Sequence, residues 1–337
     1  MNWSKGFSAS FHATFVDSKT WADTDVLEIT GGTINHTDSG LLESADVDCT
    51  DYEHGIERWI RIWMDAEQAG EWEHIPLFTG LASTPDKKIK GSLITHTLKC
   101  YSVLKPASDV LLPQGWFAAS GFIGAEVIRK LLTVCNAPVI IEGDSPRLSD
   151  HLIAEQGETN LTMIEKILNA IDWRLKISGD GSITICAKSD DAVVTFDNLE
   201  SDAVEPSVNV EYDLFDCPNV FRAISGAISF EAKDEDDASE LSIQNRGREV
   251  WKEETSVTLN DGESIQRYAK RRLKELQGVS MTISYDRRYH SDVHVGDVIR
   301  LNYPVQNLVG TFKVTSQKIS LGAGLKVSEE VIKYADR

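Results

Sequence analysis

The 337-residue chain carries 34 Lys+Arg against 53 Asp+Glu, a formal charge of −19. That acid excess excludes tasks whose affinity comes from broad phosphate neutralisation, tight DNA binding first among them. With 41% hydrophobic and 26% charged residues, the composition is that of a globular chain long enough for two or three cores; no apolar run of about 18 residues is present to make a spanning helix.

The N-terminal stretch alternates with period two. Phe7, Ala9, Phe11, Ala13 and Phe15 fall on one face and Ser8, Ser10, His12 and Thr14 on the other, which predicts a half-buried strand. The pattern returns at Ala45/Val47/Cys49 against Ser44/Asp46/Asp48, from Arg58 to Met64, from Ile75 to Leu81 and from Leu93 to Tyr101. Gly31-Gly32, Asp38-Ser39-Gly40, Gly70 and Pro85-Asp86 break it. A run of strands with no helix between them predicts an antiparallel barrel or sandwich, a barrel-like domain over residues 1–103.

Residues 104–190 change character. Ile123, Val127, Leu131 and Val134 recur at helical spacing and predict a helix from Gly121 to Cys135. Thr162-x-x-Glu165 has the form of a capping box, and Leu161, Ile164, Leu168 and Ile171 make one apolar stripe, so a second helix is expected from Asn160 to Asp172. Trp173/Leu175/Ile177 and Ile183/Ile185 flank Ser178-Gly179-Asp180-Gly181-Ser182, a hairpin with a Gly-rich turn. The segment reads as a small α+β connector.

From 191 to 337 strands return, at Val193 to Phe196, Val208 to Tyr212, Val220 to Phe230, Val250 to Leu259, Val279 to Tyr285, Asp297 to Tyr303 and Gly310 to Ile319. One helix interrupts them, with Ile265, Ala269, Leu273 and Leu276 as its stripe and Asn260-Asp261-Gly262 as the preceding turn. An acidic run over 231–240 reads as a mobile, solvated loop. The fold class expected is therefore mainly β with α+β: two antiparallel β-barrel domains flanking a small α+β region.

Few residues form a pattern with chemistry in it. His290 and His294 flank Asp292, but on an extended strand positions i and i+4 lie about 13 Å apart and cannot share an ion. His96 falls among Ile94, Leu98 and Cys100 on an apolar face, the place of a core histidine. His12, His36, His54, His74 and His151 lack a partner at a recognisable spacing. No G-x-S-x-G, H-E-x-x-H, P-loop or dinucleotide fingerprint is present. The five cysteines are scattered singly; Cys49, Cys100 and Cys186 sit in apolar alternation, which predicts reduced, mostly buried and unreactive thiols. Asp46 and Asp48 share a strand face, as ordinary solvent-facing aspartates do. No N-terminal secretory signal is visible, so synthesis in a reducing cytoplasm is expected. No catalytic, cofactor or metal residue is assigned. Trp59, Arg61 and Trp63 share one face of a strand whose other face is Ile60, Ile62 and Met64. Aromatic and Arg side chains dominate interface hot spots, so these three are the candidate interface, with core packing as the plain alternative.

The order of units, the helix Asn160 to Asp172 leading into the 173–185 hairpin, the late helix before Val295-Gly296-Asp297-Val298, and the closing strand from Gly310 to Ser316 together resemble the tail-tip or baseplate hub proteins of tailed phages. This is the late-control D-type group, which includes the N-terminal hub part of siphophage tail-associated proteins. The resemblance implies two tail-tube-like barrels and a homotrimeric ring. It implies tail tube, distal tail, spike or fibre and tape measure proteins as partners, and a lumen through which DNA passes without specific binding. A virion location after synthesis in the host cytoplasm follows, with no membrane span, no cofactor and no enzymatic role. An acidic wall would keep a genome from adhering. The rival readings are a tail-associated cell-wall hydrolase or peptidase, and a carbohydrate-binding β-module.

Overall fold

The computed structural model describes all residues except 4, 39–42, 51, 53–56, 91–92, 198–203, 213, 216, 256, 258, 260–262, 279–280, 307, 323 and 335–337. His54, Ser39-Gly40 and the Asn260-Asp261-Gly262 turn therefore lie outside the described residues. In chain order the first strands are β1 (Ser8–Val16), β2 (Asp23–Leu27), β3 (Ile29–Thr37), β4 (Glu43–Cys49), β5 (Arg58–Gln68), β6 (Glu71–Lys90) and β7 (Leu93–Ser102). The middle holds α1 (Lys105–Asp109), β8 (Phe117–Ala118), α2 (Gly124–Leu131), β9 (Val139–Ile141), β10 (Leu152–Ile153), α3 (Asn160–Ile171), β11 (Trp173–Ile177) and β12 (Ile183–Ala187). Then come β13 (Ala192–Asp197), β14 (Val204–Tyr212), β15 (Val220–Ser225), β16 (Ile228–Lys233), α4 (Ile243–Arg246), β17 (Trp251–Glu254) and α5 (Ile265–Gly278). The chain closes with β18 (Met281–Arg288), β19 (Val298–Tyr303), β20 (Leu308–Leu321) and β21 (Lys326–Lys333).

The fold is mainly β. Thirteen strands join in one sheet of order β14-β18-β21-β20-β3-β4-β7-β6-β5-β1-β2, with β19 beside β20 and β13 beside β19. Where two closed barrels are expected, none of the described sheets closes: the path has two ends and crosses from the last strands to the first through β20 and β3. Apolar alternation explains the faces. Ile60, Ile62, Met64 and Ala66 of β5 are buried with Ile34, Val47, Leu98 and Cys100 in one core, which Ile319, Leu321 and Val327 also enter from the C-terminal strands. A second core gathers Phe196, Ile283, Ile299, Leu301, Phe312 and Val331.

The strand set occurs twice. β3, β4, β5, β6 and β7 pair in the order β3-β4-β7-β6-β5, and β14, β18, β19, β20 and β21 pair in the order β14-β18-β21-β20-β19, all antiparallel. In each set one long strand changes neighbours at a bulge. β6 leaves β5 after Ala82, where its register to β7 shifts between Ala82 and Thr84. β20 leaves β19 after Lys313, where its register to β21 shifts between Val314 and Ser316. An extra residue bends a strand and raises its twist, so each bulge turns the long strand from one part of the sheet into the next.

The face opposite the cores is polar, and α5 stands beside it at Ser316 and Glu330. Across neighbouring strands it carries Asn209, Ser284, Glu330 and Ser316 in one row and Asp286, Ser328, Lys318, Asn35 and Ser44 in the next. Asp46 lies beside Lys99, and Asp48 beside Thr97, whose hydroxyl donates to Asp48 Oδ1 at 2.6 Å. Lys318 and Lys99 thus stand among the carboxylates of this face. Between β14, β18, β20 and β21 this face is hollowed into a concavity of about 410 Å³.

The middle segment folds around its own core of Leu104, Ile128, Leu132, Met163, Ile164, Ile167, Ile183 and Ile185. The first predicted helix is shorter than expected: α2 starts at Gly124 and tightens into a 3-10 turn over Leu132–Cys135. Gly124 is required because a Cβ there would meet Ile171 of α3 at 2.8 Å. The cap of α3 sits three residues earlier than predicted. Thr159 Oγ1 accepts from the Thr162 amide at 3.2 Å, and Thr162 Oγ1 accepts from the Thr159 amide at 2.9 Å, so Thr162 is the third helical residue rather than the cap. The 173–185 hairpin is present as β11 and β12, with β9 parallel to β12.

Residues 220–278 depart from the expectation of strands in a second barrel. β15, β16 and β17 form a separate three-stranded sheet, and Phe221, Ala223, Ala232, Ile265, Ala269 and Leu273 make a core between it and α5. The acidic run begins in β16, where Glu231 pairs with Arg222 at 2.8 Å. The turn after it, expected as a loose loop, is pinned. Asp234 accepts from Ser239 at 2.6 Å and from Gln277 of α5 at 2.9 Å, while Asn245 donates to the carbonyls of Asp237 and Ser239.

Candidate functional site

The Gly-rich turn of the β11–β12 hairpin is inserted into the outer face of β5 and β6. Thr79 Oγ1 donates to the Gly179 carbonyl at 2.7 Å; Trp21 Nε1 and Arg61 Nη2 both donate to the Asp180 carbonyl at 2.9 Å. The fit excludes side chains. A Cβ on Gly179 would lie 1.9 Å from the Pro76 carbonyl oxygen, and one on Gly181, at φ +80°, would lie 2.8 Å from Trp21. Trp21 itself holds a left-handed φ of 59°, an uncommon strain for a large residue, and its indole reaches the turn from there.

Arg61 organises the socket. It is only 5% exposed, holds Asp23 through Nη1 at 2.9 and 3.0 Å, and donates Nε to Thr79 Oγ1 at 3.0 Å. A planar guanidinium with several fixed donors suits such convergence, whereas a lysine offers one point charge. The three candidate interface residues are thus brought together on one face, where each has partners inside the chain. Trp59 packs against the core of the middle segment and lies 5.3 Å from Trp21. Trp63 donates Nε1 to Thr14 Oγ1 at 3.1 Å and stacks on His12 at 6.4 Å.

The other side of the hairpin is fastened to the C-terminal strands. Arg174 Nη2 pairs with the buried Asp297 at 2.6 Å, and Asp297 Oδ2 accepts from the His294 amide at 2.9 Å. Burial opposes ionisation of Asp297, but the side chains of His294 and Arg174 beside it outweigh burial and bring its carboxyl down to about 2. Gly296 must be a glycine: its φ is +85°, and a Cβ would meet Arg174 Nη1 at 2.9 Å. The hairpin therefore bridges the two strand sets, turn in one and arginine in the other.

Deeper in the C-terminal set, Arg287 and Glu329 form a fully buried pair, 2.5 Å through Nη2 and 3.0 Å through Nε. Tyr285 and Gln317 also donate to that carboxylate, at 2.5 and 2.7 Å, so β18, β20 and β21 are tied at one point. The sequence gives no signal for this group, because strands distant in the chain supply it.

No chemistry of a reactive centre emerges from the described residues. No three His, Cys, Asp or Glu side chains among them are grouped to hold a metal. His290 lies against Phe196 and its pKa is lowered by burial. His12 and His74, without partners in linear spacing, meet on Asp65 from neighbouring strands at 2.8 and 2.5 Å. Cys100 and Cys135 are buried, which pushes both thiols up, Cys135 to about 11.

The same architecture occurs in tail proteins. The chain aligns over 96% of its length with 96% of a tail protein from Neisseria meningitidis, at 14% identity and a TM-score of 0.70. It aligns over 96% with 97% of the 43 kDa tail protein of prophage MuSo2 from Shewanella oneidensis, at 13% identity and a TM-score of 0.66. The chain has the fold of phage tail proteins. That tail fold extends to a component of the type VI secretion system of E. coli, which itself resembles the T4 tail proteins gp27 and gp5, at 8% identity and a TM-score of 0.54 over 92% of this chain and 74% of that one. No family model and no curated protein sequence matches the chain, so the likeness is one of tail fold.

Proposed function

We propose that the chain is a structural, non-enzymatic component of a phage tail, in which three copies close head to tail into a hub ring at the tail tip or baseplate. The observation that carries this reading is the duplicated strand set. Within the chain, the part of β20 beyond its bulge pairs with β3, the first strand of the other set. Among the described strands, the equivalent part of β6, Thr84 to Lys90, pairs with β7 alone, and β14, the equivalent of β3, pairs with β18 alone. One join between sets is made inside the chain, and the two edges of its counterpart, β14 at one end of the sheet and β6 beyond its bulge, stand open among the described strands. Pairing β6 of one copy with β14 of the next repeats the internal join between copies. Such a contact is heterologous, the kind that builds a ring when its rotation closes, and it covers both open edges.

In this reading residues 1–103 and 191–337 supply two wall segments per copy, and residues 104–190 brace them. The polar face lines a lumen through which DNA passes. Its Ser, Thr and Asn side chains, with lysines interleaved among carboxylates, offer no continuous basic surface to phosphate. Tail tube, distal tail and spike or fibre proteins are the neighbours such a ring requires, and the virion is its location.

The test uses single proline variants at Lys87 and Lys88 of the full chain. Successive backbone N–H groups in a strand point to opposite sides, so one of the two removes a donor from the open edge. Sedimentation should show that variant as a folded monomer while the parent forms the ring. Equal assembly by the parent and both variants would refute the β6–β14 contact.

A further inference from the structure

A cleft of about 600 Å³ opens where α5, the β11–β12 hairpin and the C-terminal strands meet, within the size range of peptide and ligand sites. Its walls hold six cations: Arg174, Lys188, Arg272, Lys274, Lys313 and Lys333. Only three carboxylates, Asp38, Glu275 and Glu330, line it with them. In a chain of net charge −19 this is a local inversion of sign. Four of the cations are already committed. Arg174 pairs with Asp297, Lys188 with Asp172, Arg272 with Glu254 and Glu275, and Lys313 with Asp38. These pairs fix the walls. Lys274 and Lys333 lie exposed at the cleft with no ion pair to any described residue.

We propose that this cleft seats a carboxylate-rich peptide segment of another protein, its acidic side chains held by Lys274 and Lys333. The lining discriminates against nucleic acid. A phosphate backbone carries charge at every step and would meet Asp38, Glu275 and Glu330, whereas a peptide can place carboxylates at the lysines and apolar side chains against Val298, Ile332 and Tyr334. The inference goes beyond the ring and concerns a cleft formed by a single chain.

The test measures binding of a fluorescein-labelled octapeptide alternating Glu and Leu to the full-length protein, with a single-stranded oligonucleotide of similar charge as the second probe. Peptide affinity should fall about tenfold between about 50 and 300 mM salt, and about tenfold in Lys274→Glu/Lys333→Glu. The milder Lys274→Gln/Lys333→Gln pair, checked for an unchanged melting temperature, should weaken it less. Lys252→Glu, on exposed β17 away from the cleft, should leave it unchanged. Absence of peptide binding at low salt, equal binding by the double Glu variant, or tighter binding of the oligonucleotide would each overturn the proposal.

Discussion

Arg61 and Asp180 are 119 residues apart in sequence, and Nη2 of the arginine donates to the aspartate's carbonyl oxygen at 2.9 Å. The bond joins the first strand set to the hairpin that bridges both sets, and Asp23 and Thr79 hold the same guanidinium in place. Truncating Arg61 removes the counter-charge of Asp23 and one donor each from Thr79 and Asp180 in a mostly closed site. Arg61→Met is expected to lower unfolding free energy by about 2–4 kcal/mol in urea titration. Arg61→Lys should recover little of it, since one ammonium cannot reach Asp23, Thr79 and Asp180 together.

Trp59 packs against the middle segment of its own chain. Trp59→Ala should therefore cost about 3 kcal/mol of stability and leave oligomeric mass unchanged. Loss of assembly at an unchanged melting temperature would place Trp59 in a contact between copies instead.

Gly179→Ala places a methyl group where the Pro76 carbonyl stands. The turn has to withdraw, breaking the bonds from Thr79, Trp21 and Arg61 at once. A loss of about 3 kcal/mol or more is expected, with a red shift in tryptophan fluorescence as Trp21 meets water. Gly226, which has open space around its Cβ position, is the control for glycine replacement, although its own φ of +60° carries a smaller cost.

Asp297 supplies a pH signature. Its folded-state carboxyl titrates at about 2 against an ordinary 3.8, so between those values the unfolded chain binds the extra proton. Stability from this group is fully present above about pH 4 and is lost as pH falls towards 2, a change of about 2 kcal/mol. Asp297→Asn should flatten that limb of the stability–pH curve. A parallel curve for the variant would remove Asp297 from the account.

Glu329→Gln leaves the buried Arg287 without its counter-charge and should cost about 3–5 kcal/mol. Replacing both partners, Arg287→Met with Glu329→Leu, should cost far less, because two desolvated charges leave together. Denaturant midpoints of the three proteins measure the difference.

Much of this fold was legible in sequence because alternation reports burial directly. β1, β5 and the 173–185 hairpin appear where Phe7 to Phe15, Arg58 to Met64 and Trp173 to Ile185 place them. What stayed hidden depends on pairing between distant strands. Nothing in the spacing of Lys313 or Ser316 says that β20 changes neighbours there, so an open sheet that passes from one set to the next reads as two barrels. The same holds for the site. Arg61 was legible as an unusual charge between two tryptophans, but its partners at Asp23, Thr79 and Asp180 come from three other segments. The Ser178 to Ser182 glycines read as turn residues, and only the approach of Pro76 shows that they also serve a close contact.

The central claim is that copies of this chain repeat between themselves the β20–β3 join made within each one. Native mass measurement of the full-length protein across a concentration series tests it most directly. The account predicts a discrete species of three chains that persists on dilution and gives way to monomer when the β6 edge is blocked by proline. A monomer at every concentration, or an even-numbered assembly indifferent to the β6 and β14 edges, would contradict it.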